Sequence, residues 1–281
     1  MMHVWFGLLA SCGAPEAEGV APASPPVDLP QPASQRTAPT EEAVRRAMDK
    51  AIAWMQAYDQ PVRFDAILAA SQLGTLHPTA DAKRLFEHRL AGLSDTDHPH
   101  IRLWDPTHRL PDGVVPDWTA DARARVNVNR VLTEALHCSE HGWRAQTTEY
   151  VCGAMRDNGG YHTTHGLWAL TLAQERDCIE SLCTAALVDE IAAAQPAVFQ
   201  PNATLDIDLY AERLLTSCLA NSCGAEADRW VATLLALQQD DGGWRVPKEP
   251  EPLPYADYHT TMIAAWALAV WSQRQGAAPS P

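Results

Sequence analysis

From Thr40 onward, apolar residues recur at spacings of three and four, and the strict alternation of a half-buried strand is almost absent. Thr40-Glu41-Glu42 sets a capping residue and two acids at a helix start, and Val44, Ala47, Met48, Ala51, Ile52, Trp54 and Met55 then fall on one face. A second helix is predicted from Phe64 to Leu73, stopped by Gly74. The unit of helix, turn and helix then repeats: Ala82 to Leu93 with Arg125 to Cys138, Thr147 to Met155 with Tyr161 to Ala173, Leu182 to Ala194 with Leu205 to Leu219, and Ala225 to Gln239 with Tyr258 to Trp271. Five hairpins spaced by roughly 40 to 50 residues predict a repeat-built, all-α domain over 41–275. The His-, Pro- and Asp-rich stretch from Ser94 to Thr119 breaks the pattern and reads as an irregular loop.

The last hairpin carries Gln238-Gln239-Asp240-Asp241-Gly242-Gly243-Trp244, which resembles the QW motif, Gln-x-x-x-Gly-x-Trp, of squalene and terpene cyclases. A degenerate copy places Met155 in the Gln slot, Gly159 in the Gly slot and Tyr161 in the Trp slot. Physically the motif stops a helix: glycine permits a left-handed turn, and the aromatic ring packs across the junction. The resemblance extends to protein prenyltransferase β subunits and implies an α/α toroid of about five hairpins, with inner and outer helices alternating around a ring. It does not imply a chemistry, because one fold hosts many functions.

Composition then limits the partners. A formal charge of -14, from 35 acids and 21 bases, excludes the concentrated basic surface of a nucleic-acid binder. Leu9-Ala10-Ser11-Cys12 closes a short apolar run and resembles a bacterial lipobox, although only His3 stands in for the usual basic residues before that run. The resemblance implies a signal peptide over 1–11, lipidation of Cys12 and a membrane partner reached through the lipid. Gly13 after the cysteine points to the outer membrane of the bacterial cell envelope. The Ala-, Pro- and Ser-rich segment 12–40 has almost no large apolar groups to bury, so it is expected to be a disordered tether. A disordered tail is expected over 276–281.

Seven cysteines less Cys12 leave six, and an exported chain with an even count suggests disulfides. Taken in order, they bracket turns, which predicts Cys138–Cys152, Cys178–Cys183 and Cys218–Cys223.

Candidate chemistry lies in the first turns of the helices that a toroid would place inside. These turns carry Arg63 and Asp65; Asn127 and Asn129; Tyr161, His162, Thr163, Thr164 and His165; Asp206 and Asp208; and Asp257, Tyr258, His259 and Thr260. Asp257-x-His259-Thr260 resembles the prenyltransferase segment that supplies a zinc-binding histidine, and Asp206 matches an aspartate ligand one repeat earlier. Asp208 stands where that family has its thiolate, and the soft ligand is lost. Asp206-x-Asp208 also resembles the Asp-x-Asp-Asp acid of class II terpene cyclases, cut short by Leu209. His162 and His165, three apart on a helix, share a face. With Asp206 and His259 they compose a candidate nitrogen and oxygen site for zinc, and Asp206 and Asp208 are the candidate catalytic acids. A glycosidase would need Asp65 or Asp257 as its second carboxylate. The same polar groups also serve as helix caps and dipole partners without any ligand. Two functions stay open: a lipid-anchored toroid that binds an apolar small molecule or a protein partner in or around its central cavity, and a metal- or carboxylate-dependent enzyme acting on an isoprenoid-like or glycan substrate.

Overall fold

A computed structural model describes residues 38–59, 64–93, 98–109, 128–180, 182–195, 206–245 and 254–276. The expected signal, Cys12, most of the tether, Arg63, Asn127 and residues 277–281 lie outside the described residues. Every regular element among the described residues is helical, in accord with an all-α chain. The elements are α1 (Glu41–Ala57), α2 (Phe64–Leu76), α3 (Ala80–Ala91), a 3-10 turn (Pro99–Leu103), α4 (Val128–His141), α5 (Ala145–Glu149), α6 (Gly160–Glu175), α7 (Thr184–Ala194), α8 (Ile207–Leu219), α9 (Ala225–Leu237) and α10 (Pro254–Gly276). From α5 the chain runs on through a π-helical stretch, Tyr150–Met155, into one further turn, Arg156–Asn158.

Local chemistry sets several of these ends. The hydroxyls of Thr40 and Thr79 accept from Ala43 N and Ala82 N, and the Asp206 carboxylate accepts from Leu209 N. Each satisfies an amide that a helix start leaves unpaired. The expected stop at Gly74 is passed by two residues, because α2 is held by packing on α3 and α10. A mid-helix glycine costs only about 1 kcal/mol, which tertiary contact outweighs. The loop predicted over Ser94 to Thr119 contains the 3-10 turn, opened by His98, whose ring accepts from His100 N.

Burial sorts the helices. In α1 the buried residues Val44, Ala47, Met48, Ala51, Ile52 and Met55 form one stripe, as on a peripheral helix. In α8 and in the stretch of α10 from Asp257 to Trp271 nearly every position is buried, polar ones included, which marks central helices. The central helices follow one another: α4 packs on α6, α6 on α8, α8 on α10 and α10 on α2, while the 3-10 turn touches both α2 and α4. Outside them, α1 contacts α3, α9 and α10, and α7 contacts α6.

The Gln238–Trp244 segment joins the last hairpin to the first. Gln238 Nε2 donates to Ala47 O and to Gly242 O, each at 2.9 Å. Gly242 adopts φ +97°, and a Cβ there would meet the Lys50 carbonyl oxygen at 2.5 Å. Trp244 is fully buried; its indole donates to Leu234 O at 2.8 Å and its amide to Thr261 Oγ1 at 2.9 Å.

All six cysteines outside the N-terminal segment are bonded, but two expected pairings are corrected. The bonds are Cys138–Cys178, Cys152–Cys183 and Cys218–Cys223, and only the last follows sequence order. The reason is helix direction. Because α4 packs along α6, the end of α4 with Cys138 meets the turn after α6 with Cys178. Cys152, in the π-helical stretch, is left to bond Cys183 at the entry to α7.

Candidate functional site

The first two turns of four central helices converge. Asp65 comes from α2; Tyr161, Thr164 and His165 from α6; Asp206, Asp208 and Glu212 from α8; His259 and Thr260 from α10. Each helix start carries partial positive charge, so acids in these first turns are locally favoured. Glu212 lies a full turn deeper in α8, beyond the reach of that effect.

Tyr161 Oη lies 3.1 Å from both oxygens of Asp206 and 3.0 Å from Asp208 Oδ2, so one phenolic proton is shared among the oxygens of two carboxylates. His259 faces Asp208 with Nδ1, 2.8 Å from Oδ1, and Asp65 with Nε2, 3.5 Å from Oδ2. Glu212 Oε2 accepts from Thr164 Oγ1 at 2.7 Å. His165 Nδ1 donates to its own helix at Tyr161 O, 2.7 Å away, and stands 3.7 Å from Glu212 Oε2.

These contacts divide the protonation states. Burial alone would depress His259, but the charge and hydrogen bond of Asp208, joined by Asp65 and Glu212, push it up to about 10. Burial works against ionised Asp208 too, yet the His259 charge and the hydrogen bonds from His259 and Tyr161 hold it below the usual carboxylate range. Burial raises Asp206, and the Asp208 charge adds to this. Burial likewise raises Glu212, and burial with both aspartates raises the Tyr161 phenol. The cluster therefore centres on one ion pair, Asp208 and His259, beside Asp206 and Glu212, in which burial favours the protonated form over that of a free carboxyl.

Of the sequence-based candidates, Asp206, Asp208 and His259 come together directly, and His165 borders them through Glu212. His162 is half-buried on α6 and has no side-chain hydrogen bond among the described residues. Asp257 turns toward Arg245, 4.0 Å away. Tyr161, read as a structural aromatic slot, instead bridges two acids. Sequence reasoning does not single out Glu212 as a site residue. The one signal for it is its place four residues after Asp208, on the same face of α8. One ligand atom from each of Asp208, Glu212 and His259 fits within a mutual 4.8 Å, the compass of a single metal ion.

Two turns further along α6 and α10, Trp168 and Trp266 meet edge to face at 5.9 Å, an aromatic pair beyond the polar turns. A water-sized cavity of about 20 Å³ lies between Gly160, Thr163 and Arg213. A larger cleft of about 310 Å³ sits at the other end of the helices, between the start of α1 and Leu76, His77 and Ser272, remote from this chemistry. Comparison with known protein families, with curated proteins and with solved structures returns no match.

Proposed function

We propose that the chain is an α/α toroid, anchored in the bacterial envelope through lipidated Cys12, that performs acid–base chemistry on an apolar, isoprenoid-like substrate. The succession of central helices and the Gln238–Ala47 bond between last and first hairpins support the ring. The observation that carries the chemistry is Tyr161 Oη within 3.1 Å of both Asp206 and Asp208, with His259 on the far side of Asp208. In this reading Asp206 is the proton donor, since its environment keeps it protonated more readily than a free carboxyl. Tyr161 relays the proton, and ionised Asp208 carries the compensating charge. Trp168 and Trp266, paired edge to face two turns along the same helices, would supply the aromatic surface for positive charge developing on the substrate.

The partner-binding alternative needs a docking surface. Leu90 and Leu182 are the large hydrophobics exposed among the described residues, and single exposed side chains do not make a patch. Incubation of the full chain with farnesol, geranylgeraniol or squalene, followed by mass analysis of products, tests the enzyme reading. Turnover that falls by roughly 100-fold or more in Asp206→Asn supports it. Absence of both turnover and tryptophan-fluorescence change with all three compounds would sink it.

A further inference from the structure

We infer that Asp208, Glu212 and His259 form a chelate for one divalent cation of the borderline class, zinc(II) foremost. The inference deepens the acid–base reading, since it rests on the same cluster. The three donors come from two helices: Asp208 and Glu212 at i and i+4 on α8, and His259 from α10. Their ligand atoms fit within 4.8 Å of one another. Two carboxylates and an imidazole suit zinc and its neighbours, and three protein ligands leave a fourth position open to water or to a substrate oxygen.

A second observation points the same way, because each donor is backed by an outer partner. His259 turns Nδ1 toward Asp208 and Nε2 toward Asp65, 3.5 Å away, the carboxylate–histidine arrangement found behind metal-bound imidazoles. Thr164 Oγ1 fixes Glu212 at 2.7 Å, and Tyr161 Oη fixes Asp208 at 3.0 Å. Glu212 is the decisive member. It is buried a turn below the helix starts, where the dipoles that answer Asp206 and Asp208 have faded. Two buried carboxylates one turn apart converge on the His259 imidazole, and a dication that displaces the Glu212 proton would be held by all three. Asp206 stays outside the chelate, engaged by Leu209 N and Tyr161. The ligand set thus differs from the one read from the sequence: Glu212 enters, and Asp206, His162 and His165 do not.

Dialysis of the full chain against zinc(II), then metal analysis and calorimetric titration, should give one equivalent bound. Asp208→Asn and Glu212→Gln should each weaken binding by roughly 100-fold or more, and the outer-partner changes Asp65→Asn and Thr164→Val by about 10-fold. His162→Ala should bind as wild type. Since a core substitution can impair folding, cobalt(II) loaded into wild-type protein supplies an independent reading: visible bands of a four-coordinate nitrogen and oxygen site are expected. No bound equivalent, zinc binding unchanged in both chelate variants, or binding of magnesium alone overturns the site. Zinc bound without turnover of any isoprenoid refutes the enzyme reading and leaves the metal site standing. Turnover undiminished in chelator, with no zinc bound, does the reverse.

Discussion

His259 shows how a single residue couples the site to stability. A free imidazole titrates near 6.5, and here the group is pushed up to about 10. A raised pKa contributes stability that is fully present below about pH 6.5 and lost as pH climbs through about 10. Glu212, also raised, loses its contribution in the same direction once pH passes the ordinary carboxylate range. Asp208 is lowered, so its share is present above that range and lost in acid. In chelator-treated protein the unfolding free energy from urea titration should therefore fall from pH 6 toward pH 10, by an amount on the order of 2–4 kcal/mol. His259→Gln should flatten that fall, and an equal slope in the variant would show that the imidazole is not its source. Gly242 gives a steric counterpart. With φ +97° and only 2.5 Å between an added Cβ and Lys50 O, Gly242→Ala should cost about 2–4 kcal/mol. Gly142→Ala, at φ +80° with open space around its Cβ, should cost only about 1–2 kcal/mol. Thermal midpoints of the two variants separate collision from backbone conformation.

At the scale of elements, the helices were legible and their partners were not. Periodicity located α1, α6, α8 and α9 within a few residues, because a half-buried helix must repeat its apolar side chains with the helical period. It gave no sign of the π-helical turn at Tyr150–Met155, since one extra residue per turn leaves no compositional mark. The cysteine pairs failed for a related reason: sequence order records which turns are near in the chain, not which helix ends lie side by side. Asp206, Asp208 and His259 could be read because polar groups at helix starts interrupt apolar faces. Glu212 could not, because between Ala211 and Arg213 a single acid looks like a solvated position. The corrected bonds carry a prediction. Non-reducing peptide mapping should recover Cys138 with Cys178 and Cys152 with Cys183. Replacing Cys152 and Cys183 by serine opens a bridge of sequence separation 31 and should cost about 3–4 kcal/mol. Replacing Cys218 and Cys223, five residues apart, should cost about 2 kcal/mol. Chemical denaturation decides it: equal losses would mean that loop length does not govern these bridges.

Across the whole molecule, the two ends of the central helices carry different duties. The ends of α4 and α8 and the turn after α6 are stapled by cystines, whereas the starts of α2, α6, α8 and α10 hold the titratable cluster. No disulfide reaches α1, α2, α9 or α10, so the junction of last and first hairpins depends on packing and on the Gln238 segment. Gln238 Nε2 reaches Ala47 O across 191 residues of sequence. That carbonyl belongs to α1, where it also serves the helix, so removing the amide weakens a contact without unravelling a turn. Gln238→Leu should cost about 1–3 kcal/mol, the range for a buried donor–acceptor pair broken from one side. Its distribution tests the role. If the side chain joins the two hairpins, hydrogen exchange should quicken in α1 and in residues 238–244 together, while the cystine-tied α4 and α6 keep their protection. Loss confined to residues 238–244, with α1 exchanging as before, would reduce Gln238 to a local helix stop and leave the junction to the packing of α1 and α2 on α10.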